Sequence, residues 1–240
     1  MKDDVKVLLE TGLNSQDRNG KTPLILAAWQ GDLQTVKDLL EKNADVSIED
    51  QFGENVVHFA ARQRNPEVLE TILKSGADIN KKSSSGYRQT ALFTPAEVGN
   101  IPVLRLLLEN GANPDIEDKH KMTALHWAAQ AGKTESVKTL LEFNANVNTK
   151  NNKGITPLIS ASIKGVMDTL LMLVDAGADI DSASKDGYTA LIYGAYYGHE
   201  EVVKYLLGLG ANKDIVTKKN ETALSIAGKK KFDRVVSLLL

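Results

Sequence analysis

The sequence predicts an all-α solenoid of stacked helix–turn–helix repeats with hairpin turns along one edge. Three observations predict it. A threonine recurs at Thr22, Thr90, Thr123, Thr156, Thr189 and Thr222, with Asn55 in the second slot, at steps of 33, 35, 33, 33, 33 and 33 residues. Glycines fall on the same lattice, at Gly31, Gly99, Gly132, Gly165 and Gly198. Between these markers run branched apolar residues at helical spacing, as in Val36, Leu39, Leu40 or Val202, Val203, Leu206, Leu207. A fixed period of this size marks a repeat array. No single repeat buries both faces of its helices, so neighbours must stack.

The elements follow in order. Residues 1–16 hold half a repeat, in which Val5, Val7, Leu8 and Leu9 form an apolar helical face closed by Gly12. Full repeats occupy 17–49, 50–82, 83–117, 118–150, 151–183 and 184–216, and a truncated seventh occupies 217–240, together a single array. Thr22 before Pro23 and Thr156 before Pro157 read as an N-cap followed by proline at the first helical position. The hydroxyl satisfies an orphan amide there, and proline's missing N–H costs nothing. Small pairs such as Ala27-Ala28, Ala60-Ala61 and Ala128-Ala129 let the neighbouring helix approach. Glycine then ends the first helix in the left-handed conformation. The second helix closes at Gly76, Gly111, Gly177 or Gly210, with Asn43 and Asn144 as substitutes that tolerate the same geometry. An extended segment such as Ala178-Asp179-Ile180-Asp181 leads to the next turn, as at Asp186-Gly187.

With these residues in place, Thr-Pro-Leu at 22–24 and 156–158, Thr-Ala-Leu-His at 123–126 and the Gly-Ala-Asp/Asn closings resemble the ankyrin repeat family over essentially the whole chain. The resemblance implies an L-shaped helix–turn–helix–hairpin repeat and a concave protein-binding groove. It also implies Asn80 and Asn148, in the closing segments, as candidate hydroxylation sites.

Composition narrows the chemistry. The chain has 240 residues, 42% hydrophobic and 25% charged, with no cysteine and a formal charge of −2. There is accordingly no disulfide framework, thiolate nucleophile or cysteine-ligated zinc. No apolar run approaches the roughly 18 residues of a membrane span, and the charged start Met1-Lys2-Asp3-Asp4 is not followed by a signal-peptide segment. Cytosol is the expected compartment, with the nucleus as an alternative. His58 and His126 share one repeat slot and read as ties between adjacent turns rather than metal ligands, since no His-x-x-x-His or carboxylate pairing accompanies them. The glycines act as caps, not as a phosphate loop. Asn220-Glu221-Thr222 matches a glycosylation acceptor, but Thr222 is a repeat cap. No catalytic constellation, metal site or cofactor is expected, and the chain reads as non-enzymatic.

Function is expected where the repeat does not repeat. The resemblance implies that the residues at the hairpin tip and at the end of the first helix face the groove, and those slots vary freely while their neighbours keep one residue type. They hold twelve Lys/Arg (among them Arg62, Arg88, Lys164 and Lys185) against four Asp/Glu. That local balance of +8 leaves −10 for the rest of a chain whose total is −2, so a basic groove on an acidic back would steer an acidic partner to one face. The same slots hold Trp29, Phe52, Tyr87, Met122, Ile155, Tyr188, Tyr196 and Tyr197, and also Ile163 and Ser85. Interface anchors are enriched in Trp, Tyr and Arg, and Tyr196, flanked by Tyr188 and Tyr197, is the foremost candidate for an aromatic clamp. Trp127, in the small-residue half of its helix, reads as core.

One repeat breaks the pattern. Three residues rather than one separate Gly86 from Thr90, and Pro95 sits inside the expected first helix, where it removes an amide and crowds the preceding turn. A longer hairpin finger at Tyr87-Arg88 and a kinked or late-starting helix are expected. At the ends, a half repeat and the apolar Leu238-Leu239-Leu240 suggest an excerpt of a longer protein, with pairing of apolar end surfaces as the alternative. The leading expectation is a monomeric scaffold that binds an acidic or extended segment of another protein. The alternative is a regulatory module of an enzyme or channel that senses an anion or nucleotide through Lys153, Lys164 and Lys185. Nucleic acid would need a stronger basic stripe than +8 spread over seven repeats.

Overall fold

The computed structural model describes residues 2–84 and 86–240; Ser85, one of the variable slots, lies outside them. Among the described residues there are fifteen α-helices and no strand. The fold class is the expected all-α helix–turn–helix solenoid, and the chain divides into two compact halves, Met1–Lys119 and His120–Leu240.

In the first half, α1 (Lys2–Thr11) is followed by the pairs α2 (Pro23–Gln30) and α3 (Leu33–Glu41), α4 (Val56–Ala61) and α5 (Glu67–Leu73), and α6 (Phe93–Val98) and α7 (Ile101–Glu109). The second half holds α8 (Ala124–Gln130) and α9 (Thr134–Glu142), α10 (Pro157–Lys164) and α11 (Met167–Asp175), α12 (Ala190–Tyr197) and α13 (Glu200–Gly208), and α14 (Ala223–Lys230) and α15 (Asp233–Leu239). The first helices pack on their own second helices, and within each half α2 packs also on α4, α10 on α8 and α12, and α12 on α14. Leu69, Ile72, Leu104 and Leu107 fill the first half's core, and Leu125, Leu140, Leu158 and Ile159 the second's, all essentially inaccessible. Each such side chain contributes about 1.5–3 kcal/mol by leaving water.

The caps act as the sequence implied. The hydroxyls of Thr22, Thr156 and Thr189 accept the amides of Ile25, Ile159 and Ile192, each at 3.2 Å. Asn43 and Asn144 take φ of 62° and 60°, replacing glycine in the left-handed position. Adjacent hairpin tips are joined by single backbone bonds, Gln51 N–H to Asn19 O and Ser84 N–H to Phe52 O in the first half, and Lys185 N–H to Lys153 O in the second, at 2.8–2.9 Å. This close approach explains Gly154, where an added Cβ would lie 2.8 Å from the Lys185 nitrogen. A parallel ladder runs through the closing segments. Asn80 Oδ1 accepts from Asn113 N–H at 2.8 Å, and Asn148 Oδ1 accepts from Asp179 N–H at 2.9 Å.

The histidines are ties. His126 Nδ1 accepts from Thr123 N–H at 3.1 Å, which leaves the proton on Nε2 to donate to Ile155 O of the next hairpin at 2.9 Å. His58 repeats the arrangement with Asn55 N–H at 3.3 Å and Gln89 O at 3.2 Å.

The third repeat departs as expected. Its hairpin closes between Ser83 N–H and Gln89 O, six residues apart, where the second closes between Asp50 and Glu54. Helix α6 begins only at Phe93, so Pro95 falls in its first turn, where no intrahelical donor is lost. The late start resolves the proline conflict. It also deprives Thr90 of the amide that its counterparts cap, and the buried Thr90 hydroxyl meets no partner among the described residues.

Candidate functional site

None of the twelve residues singled out for the variable surface is buried. Trp29, Phe52, Arg62, Tyr87, Arg88, Lys164, Lys185 and Tyr197 are exposed, and Met122, Ile155, Tyr188 and Tyr196 are half-buried. The fold divides them. Trp29, Phe52, Arg62, Tyr87 and Arg88 belong to the first half; Met122, Ile155, Lys164, Lys185, Tyr188, Tyr196 and Tyr197 belong to the second.

Within a repeat, the hairpin folds back over the end of the first helix and places the residue after the turn against the residue eight positions on. In the first repeat Lys21 Nζ lies 4.2 Å from the centre of the Trp29 ring. In the second, Glu54 accepts two hydrogen bonds from the Arg62 guanidinium, one of them at 2.9 Å. In the sixth, Tyr188 and Tyr196 meet edge to face at 6.4 Å. In the seventh, Lys229 Nζ donates to Glu221 at 2.6 Å, and this hydrogen bond holds the Glu221 carboxyl below its usual range. Within each of these repeats the variable slots thus form matched pairs: charge with charge, ring with ring, cation with ring.

The pairing changes which cations are available. Arg62 and Lys229 are engaged by carboxylates, and Lys218 approaches Asp186 at 3.8 Å. Among the described residues, no carboxylate stands within ion-pair distance of Lys153, Lys164 or Lys185 in the second half. That half also carries most of the excess, seven Lys/Arg against two Asp/Glu in its variable slots, compared with five against two in the first.

The aromatic residues gather most densely in the sixth repeat. Tyr188 lies 5.0 Å from Tyr193 and 6.4 Å from Tyr196; Tyr196 lies 5.0 Å from Tyr197; Tyr197 stacks on Tyr193 at 6.4 Å and on His199 at 6.0 Å. Lys230 Nζ sits 4.0 Å over the Tyr196 ring. The T-shaped and offset separations are those favoured by ring quadrupoles. Burial raises the Tyr193 hydroxyl above the ordinary phenol value, and the neighbouring Tyr197 and Tyr188 reinforce it, so it stays a neutral donor at physiological pH.

Tyr193 was missed by slot reasoning. It stands outside the variable slots, in the small-residue half of the helix that also holds Trp127, and the same slot holds the buried Leu26 and Phe59 in earlier repeats. Trp127 stands in the same slot and is half-buried, which corrects the expectation that it is core. Exposure in this mid-helix slot therefore differs between repeats: Leu26 and Phe59 are buried, Trp127 and Tyr193 half-buried. The slot's variability, from Leu26 and Phe59 through Thr94 and Trp127 to Ser160 and Tyr193, was the available signal.

Two other observations bound the chemistry. No group of three or more His, Asp or Glu side chains is arranged to hold a metal ion among the described residues. No described helix is long and apolar enough to cross a membrane.

Comparison with known proteins agrees with this architecture. A family model described as ankyrin repeats, three copies, matches residues 1–83, 31–118, 57–151, 92–184, 125–217 and 168–240, which together cover every residue. The chain belongs to the ankyrin repeat family. The ankyrin repeat domain of Bcl-3, a member of the IkappaB protein family, superposes with a TM-score of 0.81 at 26% identity, covering 92% of this chain and 99% of that one. Among curated relatives, a putative ankyrin repeat-containing protein of Treponema pallidum is 32% identical over 120 residues, 49% of this chain and 40% of that protein. The palmitoyltransferase AKR1 of Saccharomyces cerevisiae is 35% identical over 74 residues, 31% of this chain and 10% of that protein. The E3 ubiquitin-protein ligase hecd-1 of Caenorhabditis elegans is 33% identical over 97 residues, 40% of this chain and 4% of that protein. This ankyrin repeat chain therefore spans 40% or less of the length of these curated relatives. Ankyrin repeat domains are generally protein–protein interaction modules, and the fold is typically a non-catalytic scaffold.

Proposed function

We propose that this ankyrin repeat chain is a recognition scaffold whose second half binds an acidic, extended segment of another protein, with Tyr196 as the central anchor. The observation that carries this reading is the cluster of Tyr188, Tyr193, Tyr196 and Tyr197, its rings 5.0–6.4 Å apart, beside Lys230 at 4.0 Å. Large rings held by one another present apolar area at little cost in side-chain entropy, which suits an anchor. The unpaired Lys153, Lys164 and Lys185 supply the positive potential that draws a carboxylate-rich segment toward the rings. Met122 and Ile155, half-buried in the same half, extend the apolar contact. Trp29 with Lys21, in the first half, is a further ring-and-cation pair of the same kind.

The test is affinity capture with the wild-type chain and with a Tyr196→Ala, Tyr197→Ala double variant, followed by titration of the captured segment. Loss of about tenfold or more in affinity is expected, as for removal of paired interface anchors. Affinity should also fall as salt rises, because exposed lysines act over about a Debye length. Equal affinity of the two chains would eliminate the tyrosine cluster as the anchor.

A further inference from the structure

The third repeat interrupts the period, and the interruption leaves a cleft in the first half. Its finger, Gly86-Tyr87-Arg88, is exposed, with Arg88 in the left-handed region at φ 58°. Beside the finger lies a cleft of about 240 Å³ lined by Phe52, Glu54, His58, Arg62, Tyr87 and Thr90. Ligand-sized pockets measure roughly 300–1,000 Å³, so this one suits a single side chain rather than a nucleotide. Its two rings, Phe52 and Tyr87, remain 47% and 48% exposed. Such area on a small protein is more often used than wasted when it lines a concavity.

The charges around the cleft indicate what flanks the occupant. Glu54 is held by Arg62. Lys119 Nζ lies 4.9 Å from the centre of the Tyr87 ring, and Arg88 stands on the finger itself. With Glu54 engaged by Arg62 and Asp50 buried in its own hairpin, the exposed Arg88 and Lys119 are the basic side chains that flank the mouth. His58 uses its ring nitrogens on Asn55 and Gln89 and adds no free donor.

We propose that this cleft receives one aromatic side chain of a partner protein, flanked in the partner's sequence by carboxylates. The ring lies against Phe52 and Tyr87, and the carboxylates meet Arg88 and Lys119. The two extra residues of the third hairpin are what make the site, since the regular repeats have no finger to form its second wall. This site shares no residue with the tyrosine cluster of the second half, so either can fail without the other.

The experiment is fluorescence anisotropy with labelled synthetic peptides that carry Phe or Ala at the centre of a run of Glu. The wild type is expected to bind the Phe peptide about tenfold more tightly than the Ala peptide. Phe52→Ala and Tyr87→Ala should each erase that preference, while Tyr87→Phe, which keeps the ring, should retain it. Arg88→Glu, at an exposed tip where folding is not at stake, should weaken both peptides. Tyr196→Ala with Tyr197→Ala should leave the Phe preference intact, which separates this site from the other. Absence of a Phe preference in the wild type, or its survival in Tyr87→Ala, would overturn the proposal. An Arg88→Glu variant that binds as well as the wild type would overturn its electrostatic half.

Discussion

At the scale of residues, the array is held by side chains that have given up their own chemistry. His58 and His126 share a repeat slot, and each bridges to the hairpin of the following repeat. Burial keeps the His58 ring harder to protonate than the ordinary value of 6.5, with the Gln89 carbonyl only partly opposing this. The folded-state pKa is thus depressed, so the unfolded chain binds the proton more readily. The ring's contribution to stability is present in full above about pH 6.5 and is lost as pH falls through that value toward the folded pKa. Urea midpoints measured across that window should fall with acidity, and less steeply in a His58→Gln variant; parallel slopes would remove His58 from the account. The role of these histidines was legible in the sequence because they recur on the lattice. The partial exposure of Tyr193 was not, because its slot, shared with Trp127, lies in the small-residue half of the helix outside the variable slots. The same slot buries Phe59 and leaves Tyr193 half-exposed, a difference that spacing alone does not encode.

At the scale of elements, most caps and closings were legible, since each needs one residue type at one backbone geometry. Gly31, Gly99, Gly165 and Gly198 all take φ between 71° and 85° at first-helix ends. In the seventh repeat Lys231 takes the same turn at φ 62° without glycine, and nothing in the composition foretold it. For the third repeat the extra residues and Pro95 signalled a departure, but sequence alone left kinking and late starting open. The structure chose the late start because the first turn has no donor for proline to remove. Helices α9 and α10 show a second kind of exception. Ser162 stands where Ala28, Ala61, Ala96, Ala129 and Ala195 stand in other repeats, and Ser136 where Val68, Val103, Val202 and Val235 stand. Both hydroxyls are buried without a hydrogen-bond partner among the described residues. An orphan hydroxyl costs about 1–3 kcal/mol, so Ser162→Ala should stabilise the chain by about 1 kcal/mol, with Ser136→Val adding in the same direction. Denaturant unfolding would measure it. A destabilised Ser162→Ala would show that the hydroxyl is satisfied in solution.

At the scale of the whole molecule, function follows from what the lattice leaves free. We propose that the chain acts as one array, with residues 1–16 a half repeat and 217–240 a truncated last one. Its excess of cations then lies on the variable slots at +8 against −10 elsewhere. Such asymmetry governs which partners approach and from which side, more than how tightly they finally hold. On the proposed reading tightness comes from ring anchors, and the rings of the sixth repeat are the densest set. The charge pattern was readable from sequence once the period was known. The matched pairs eight residues apart, such as Glu54 with Arg62, were not, because they depend on how the hairpin folds over the helix end. The most direct measurement is selection of a random peptide display library on the wild-type chain, with the enriched peptides titrated against both the wild type and the Tyr196→Ala, Tyr197→Ala variant. Enriched peptides should carry an excess of Asp and Glu and lose about tenfold or more in affinity for the variant. Enrichment of neutral or basic peptides, or equal affinity for both chains, would contradict the assignment of this surface to an acidic partner.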